Sequence, residues 1–157
     1  MRQSHSQYNE EKGILLGSLA KDDDLLLGIL KQCEKNNIRA GAFHCIGSLK
    51  SVNYCILEKV NGEYTYTTPI KESKTVELLS GNGFIGVKED GSPDIHLHGI
   101  FIDEKGKIAG GHFLEGGNSV AVTVEFSVTA SSDAVAIREA IPGTEFRVFN
   151  FYKEGEK

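Results

Sequence analysis

The sequence predicts a single α+β domain with a mostly antiparallel sheet. Its 157 residues are 39% hydrophobic and 25% charged, which is typical of one globular domain with its own core. One segment near the N-terminus has helical periodicity, whereas most later segments alternate in polarity or are rich in β-branched residues. The predicted order is a strand, a helix, four or more strands, a short helix and a last strand, which fits this fold class.

The long helix is predicted over "KDDDLLLGILKQCEKNN", after a strand that begins at Ile14. The acidic run Asp22 to Asp24 precedes the helix, where the positive end of the helix dipole favours negative charge. Asn36 or Asn37 can adopt the left-handed conformation that ends a helix. The apolar face recurs at helical spacing and consists of Leu26, Ile29, Leu30 and Cys33.

Strands joined by tight turns are predicted for most of the remaining chain. "IRAGAFHCIGSL" forms one strand, and Asn61-Gly62 is the turn of a hairpin. The turn-rich "KEDGSPD" connects two further strands. "SSDAVAIREAIPG" predicts a short helix that ends before Pro142, and "EFRVFNFY" predicts the last strand. "NSVAVTVEFSVTA" alternates as a half-buried strand whose apolar face is Val120, Val122, Val124 and Phe126.

Charge and hydropathy exclude two classes of partner. The net charge is -5, and the lysines and arginines are scattered among acids, so the domain has no general attraction to nucleic-acid phosphates. The polar N-terminus "MRQSHSQYNEEKG" is not a secretion signal. The longest apolar run is far shorter than the roughly 20 residues that span a bilayer. These features predict a cytoplasmic protein without membrane association.

Three cysteines, Cys33, Cys45 and Cys55, have no CxxC spacing and are predicted to be free thiols. Cys45 and Cys55 flank a predicted turn, so a disulfide between them is the less favoured alternative. "GNGFIG" resembles a dinucleotide-binding fingerprint only loosely, because no helix is predicted to follow it. A bulged strand or a turn is the favoured interpretation of this segment.

Three of the five histidines lie in "SPDIHLHGIFIDEKGKIAGGHFLEGG". His96 and His98 are two residues apart, so on a strand their side chains point to the same face. Glu104-Lys105-Gly106 has the composition of a three-residue hairpin loop, in which Gly106 supplies the left-handed residue. Gly99, Gly110 and Gly111 lie beside the histidines, and glycine within strands often marks a close approach of backbone or ligand.

This loop sets the register of the hairpin. Ile102 then faces Ile108, and His98 faces His112, so the three imidazoles share one face. A loop one residue longer or shorter would place His112 on the opposite face. The convergence of the three rings is therefore a prediction that depends on one turn.

Three neutral histidines suit zinc or another late first-row divalent ion. Three protein ligands leave one position open, which is the pattern of catalytic zinc and permits hydrolysis or hydration by a metal-bound water. The open position can equally hold a small anion, a carboxylate or a side chain of a partner. The alternative is that the histidines are hydrogen-bonded polar residues without a metal.

Other candidate residues receive simpler interpretations. Asp94 shares the face of His96 and can be a second-shell partner or a fourth ligand, although a turn role after Pro93 is favoured. His44 is predicted to be a hydrogen-bonded core residue beside Ala42 and Ile46. His5 and Glu115 are predicted to be solvated. No catalytic residue is assigned.

The chain resembles the PPC domain family (plant and prokaryote conserved domain, DUF296) from about Tyr8 to Phe151. The resemblance rests on "FHCIGSL", "VELLSGNGFIG", "PDIHLHGIFIDEKGKIAGGHFLEG" and "VAVTVEFSV". It implies an α+β fold with a strongly curved mixed sheet and one long and one short flanking helix. It also implies a homotrimer in which His96, His98 and His112 form a metal-binding unit, with zinc as the expected metal. No enzymatic activity is established for the family.

In plants the domain follows AT-hook motifs that bind the A·T-rich minor groove, and this chain departs from that pattern. It has no Arg-Gly-Arg-Pro hook, and Thr75 stands where the plant stretch carries an arginine. A stand-alone prokaryotic member is therefore expected, with a polar tail at residues 1–7, the domain at 8–152 and a second tail at 153–157.

The favoured function is a trimeric, metal-binding regulatory module that takes a small anionic ligand or a protein partner at the metal. Direct DNA binding is the first alternative, implied by the family and opposed by the net charge. A zinc-dependent hydrolase or lyase is the second alternative. The chain is thus expected to be a binding protein rather than an enzyme.

Overall fold

The computed structural model describes residues 2–157, and in this range the chain forms thirteen strands and one helix, α1 (Leu25–Lys35). The first seven strands are β1 (His5–Asn9), β2 (Ile14–Ala20), β3 (Gly41–Leu49), β4 (Val52–Cys55), β5 (Leu57–Val60), β6 (Glu63–Tyr66) and β7 (Ile70–Glu72). The remaining six are β8 (Val76–Lys88), β9 (Pro93–Asp103), β10 (Ile108–Phe113), β11 (Val120–Ala130), β12 (Ala134–Ala140) and β13 (Arg147–Lys153).

Eleven of the strands form one sheet, which is mixed but mostly antiparallel, as predicted. Its main path runs β1-β2-β11-β3-β8-β9-β10-β4-β7. The only parallel pairing among the described residues joins β12 to the end of β8, where Ile137 lies opposite Val87 and Arg138 opposite Lys88. β5 and β6 form a separate hairpin around Asn61-Gly62, whose φ angles of 52° and 92° are those of the predicted tight turn.

The prediction of a second, short helix is wrong. Residues 134–140 form β12, which pairs along its whole length with β13 and at one point with β8. The alanines of this segment are good helix formers, but helix propensity amounts to less than about 1 kcal/mol per residue, and pairing with β13 and β8 overrides it. Residues 5–7, assigned to a polar tail from the sequence, form the first part of β1 and pair with β2.

The helix forms as the sequence predicts. Asp24 caps its N-terminus, where the carboxylate accepts hydrogen bonds from the backbone N–H groups of Leu26 and Leu27 at 3.1 and 3.2 Å. Asn37 has a φ of 54° just beyond the last turn, which is the left-handed stop. The predicted apolar face is buried against one face of the sheet, together with Leu25.

The opposite face of the sheet is not covered by the helix, and a continuous row of residues crosses it. Pairing places Leu16, Ser127, His44, Asn82, His98 and His112 side by side on six successive strands. The three-histidine segment therefore lies on the helix-free face. The core lies between the other face and α1, with Leu15, Leu19, Phe101 and Phe113 among its fully buried side chains.

Val122 is a second correction. It was expected to share the buried face of Val120, Val124 and Phe126, yet it is 71% exposed while the other three are buried. The pairing of β11 with β3 is irregular between Val120 and Val124, because β11 advances four residues there while β3 advances only two, from Leu49 to Gly47. The extra residues, Val122 among them, therefore bulge out of β11. The irregularity breaks the simple alternation that the sequence pattern assumes.

No helix in residues 2–157 is long and apolar enough to cross a bilayer, since α1 has only 11 residues.

Candidate metal centre

The β9–β10 hairpin has the predicted register. Ile102 lies opposite Ile108, and His98 lies opposite His112. Gly106 has a φ of 78°, as the left-handed position of the loop requires. The Asp103 carboxylate fixes the loop by accepting hydrogen bonds from the backbone N–H groups of Lys105 and Lys107 at 3.0 and 2.9 Å.

Glycines let the strands approach closely at this point. A Cβ atom on Gly110 would overlap the carbonyl oxygen of Gly99 on the neighbouring strand. A Cβ atom on Gly83, in β8, would overlap the carbonyl oxygen of His96. The predicted close approach of backbone is therefore confirmed, and it holds the strands that carry the histidines in place.

The three imidazoles meet on the helix-free face. Their ring centroids are 5.0 Å apart for His96 and His98, 4.8 Å for His96 and His112, and 5.3 Å for His98 and His112. One ligand nitrogen from each ring lies within 4.8 Å of the other two. His98 is exposed, whereas His96 and His112 are half-buried.

Two observations fit a metal ion between these rings. The Nδ1 atom of His112 lies 3.3 Å from the Nε2 atom of His98. Two nitrogens bound tetrahedrally to one zinc at about 2.05 Å are about 3.3 Å apart, so this spacing fits a shared ion as well as a hydrogen bond between the two rings. The Nε2 atom of His96 is buried and has no hydrogen-bond partner among the described residues. A buried unpaired nitrogen is costly unless something binds it.

The electrostatics of the cluster favour neutral rings, which is the form that binds a metal. Burial, together with the nearby Arg138 charge and the two other histidines, lowers the pKa of His96 to about 3. Burial, then His98 and Arg138, lowers the pKa of His112 to about 4. Burial and Arg138 also lower the pKa of His98. At neutral pH the cluster therefore presents unprotonated nitrogens.

Two hairpins from distant parts of the chain cover one side of the cluster. Tyr66, at the end of β6, stacks on the His112 ring with centroids 5.2 Å apart. Phe146, just before β13, contacts Tyr66 edge-on at 5.3 Å. Glu145 bonds the Thr65 hydroxyl and joins the two hairpins. The aromatic rings thus form a wall against the metal centre.

A cleft of about 610 Å³ opens beside this wall. Tyr66, His112, Arg138 and Phe146 line it, together with acidic and basic residues at its rim. On the other side of the cluster, His96 and His98 line a hollow of about 320 Å³ with Asn82 and Phe84. The centre is therefore reachable by small molecules, and the larger space lies on the side of Arg138.

The other candidate residues do not join the cluster. Asp94 is buried, and its carboxylate accepts from the backbone N–H of Ile95 at 2.9 Å. It lies outside the group of ligand atoms but lines the cleft. His5 and Glu115 are exposed, as predicted.

The prediction of a core role for His44 is wrong. His44 is exposed on the helix-free face, where its Nδ1 atom hydrogen-bonds the Ser127 hydroxyl at 3.1 Å. Ala42 and Ile46 share its face, as expected, but this is the face that α1 does not cover. The sequence pattern identifies two faces of a strand without saying which one the helix packs against.

The predictions for the other motifs hold. Cys33, Cys45 and Cys55 are all free and buried, and three strands separate Cys45 from Cys55 in the sheet. The "GNGFIG" segment, residues 81–86, lies inside β8, close to an irregularity between Leu78 and Ser80.

Sequence analysis missed Tyr66, Arg138 and Phe146. Nothing in their local sequence distinguishes them, because their role comes from the packing of two hairpins onto a third. Arg138 also falls in the segment predicted to be helical, so its position opposite β8 could not be inferred.

Comparison of the chain with known protein families shows the family to which it belongs. Residues 6–132 match the Plants and Prokaryotes Conserved (PCC) domain. The chain belongs to the PCC domain family. This range contains the three histidines and Tyr66, whereas Arg138 and Phe146 lie beyond it. No curated protein matches the chain.

Several solved structures share the fold of this chain. A candidate DNA-binding protein from Ralstonia eutropha is 25% identical, with a TM-score of 0.77 over 92% of this chain and 94% of that one. A PPC protein from Pyrococcus horikoshii is 22% identical, with a TM-score of 0.73 over 98% of both chains. A metal-containing protein from Archaeoglobus fulgidus is 21% identical, with a TM-score of 0.74 over 96% of this chain and 99% of that one.

Proposed function

We propose that this PCC domain is a metal-binding regulatory module in which His96, His98 and His112 hold one divalent ion, with zinc as the metal. The observation that carries the proposal is the cluster of three ring nitrogens within 4.8 Å, one pair of which already has tetrahedral spacing. The description of the Archaeoglobus fulgidus relative as metal-containing supports it.

The donor set determines the class of metal. Three neutral imidazole nitrogens suit zinc, copper, nickel or cobalt, whereas magnesium and calcium require oxygen ligands. An ion held by three histidines keeps at least one coordination position for an outside ligand. The free, buried thiols fit a reducing compartment, so we place this module in the cytoplasm.

Elemental analysis of untagged protein tests the metal centre. The wild-type protein is expected to bind one zinc per chain after dialysis, and the variant His96→Ala/His112→Ala is expected to bind none. His44→Ala is the matched control, because His44 is an exposed histidine on the same face of the sheet and outside the cluster. Equal zinc content in the wild-type protein and the double variant would refute the proposal.

We also propose that the module is a homotrimer, as the family resemblance implies. Exposed apolar side chains on the helix-free face support self-association, including Leu16 at 60% and Ile46 at 50% exposure. Sedimentation should give three times the chain mass of 17.1 kDa. Ile46→Glu should shift the mass towards the monomer, whereas a wild-type protein that sediments as a monomer would contradict the trimer.

DNA binding is the second candidate, favoured by the description of the Ralstonia eutropha relative. The net charge of -5 opposes it, because non-specific affinity for DNA comes mainly from the neutralisation of phosphates by lysine and arginine. A gel-shift titration over a range of salt concentrations separates the two functions. A salt-dependent shift would support DNA binding, and no shift at low salt would exclude it.

A further inference from the structure

The cleft beside the metal centre contains two cations that no carboxylate neutralises. Arg138 and Lys88 lie opposite each other in the parallel pairing of β12 with β8. Neither has a carboxylate oxygen within 4.0 Å among residues 2–157. Both line the same cleft as His112.

The Arg138 side chain is held in place while its outer nitrogens stay free. Its Nε atom donates to the carbonyl oxygen of Arg147 at 3.2 Å, and its guanidinium lies 5.1 Å from the centre of the Phe149 ring. The described residues contain no hydrogen-bond acceptor for the two terminal nitrogens of this guanidinium. Such a guanidinium presents a preorganised pair of donors that matches an oxyanion.

None of the five carboxylates that line the cleft forms an ion pair with Arg138. Glu89 pairs with Arg147, and Glu145 accepts a hydrogen bond from the Thr65 hydroxyl. Asp90 accepts hydrogen bonds from both the hydroxyl and the backbone N–H of Ser92, and Asp94 accepts one from the backbone N–H of Ile95. Glu115 has no partner among the described residues, but it is exposed to solvent, which screens its charge.

A divalent ion bound by the three histidines would add further positive charge beside Arg138. Three neutral imidazoles leave the full double positive charge on a bound divalent ion, and Arg138 contributes a further positive charge at the same cleft. In a partly buried site these charges repel one another, and an anion that touches both removes the repulsion.

We propose that the cleft binds a small oxyanion, the carboxylate or phosphate group of a metabolite, between the metal and the Arg138 guanidinium. This inference rests on the metal centre proposed above and assigns its open position to a small molecule rather than to a side chain of a partner. One oxygen binds the metal, and another accepts hydrogen bonds from the terminal nitrogens of Arg138. The Tyr66 and Phe146 rings bound the space for the rest of the ligand.

Cobalt-loaded protein gives a direct test, because the visible spectrum of bound Co²⁺ changes when an outside ligand enters its coordination sphere. The probes are acetate and inorganic phosphate, titrated separately, and the one that binds more tightly identifies the chemistry of the natural ligand. Arg138→Gln is expected to weaken binding of that anion by about 10- to 100-fold, the loss expected for a charge-assisted hydrogen bond. Arg138→Lys should bind the anion with intermediate affinity, because lysine keeps the positive charge but lacks the planar pair of N–H donors of a guanidinium.

Arg39→Gln is the matched control. It removes an exposed guanidinium that lies outside this cleft, so the affinity for the anion should change less than about 3-fold. The proposal is overturned if neither anion changes the spectrum, or if Arg138→Gln and Arg138→Lys both bind as tightly as the wild-type protein. Stoichiometric Co²⁺ with no effect of either anion would overturn this inference alone, whereas failure to bind Co²⁺ would overturn the metal centre and this inference together.

Discussion

Metal binding should release few protons from this protein in mildly acidic solution. An ordinary histidine, with a pKa of about 6.5, is about 90% protonated at pH 5.5, so two of them would release about 1.8 protons to a metal. His96 and His112 have pKa values of about 3 and about 4 because they are buried near Arg138. At pH 5.5 the pair therefore carries less than about 0.1 proton in the metal-free protein.

Isothermal titration calorimetry with zinc at pH 5.5 measures this number. Titrations in two non-coordinating buffers with different ionisation enthalpies give the protons released per metal ion. A zinc-bound water with a pKa of about 7 contributes little at this pH, and even an unshifted His98 would add only about 0.9 proton. We expect fewer than about one proton per zinc. Release of two or more would show that burial does not keep these rings neutral.

Three further predictions concern stability. The pKa values of His96 and His112 are lower in the folded chain than the value of about 6.5 in the unfolded chain, so the unfolded chain binds more protons below that pH. The urea concentration at the unfolding midpoint of the metal-free protein should therefore fall between pH 7 and pH 4. A midpoint that does not change with pH would contradict this. Gly110→Ala should cost about 1–3 kcal/mol by overlap with Gly99 and weaken metal binding, whereas Gly106→Ala should cost about 1 kcal/mol through its positive φ alone. Phe101→Ala should cost about 3–5 kcal/mol in denaturant unfolding, and the exposed Phe151→Ala less than about 1 kcal/mol.

The β9–β10 hairpin was predictable because its determinants are local. The number of residues in the loop and the glycine at position 106 set the register, and the register sets which side chains share a face. The helix was predictable for the same reason, since its cap, its apolar spacing and its stop all lie within 16 residues of sequence, from Asp22 to Asn37.

The remaining features depend on pairing and packing with segments outside the one whose pattern was read. Residues 134–140 form a strand because β13 and the end of β8 pair with them, and a single-segment pattern contains no information about those partners. Val122 is exposed because β11 itself bulges where it pairs with β3. His44 is exposed because α1 packs on the other face. Each error comes from tertiary context that overrides a correct local observation.

The cover of the site was not predictable at all. Tyr66 and Arg138 come from two other hairpins, and only the folded chain brings them beside His112. The three histidines of the candidate site could therefore be inferred from the sequence, but the side chains that line the cleft beside them could not.

All three imidazoles belong to a single hairpin, residues 96–112, and this has a consequence for the order of events during folding. A β-hairpin closes within microseconds, long before strands far apart in sequence must find each other. A divalent ion bound by the three rings would therefore fix the register of a hairpin that can form before the rest of the sheet assembles.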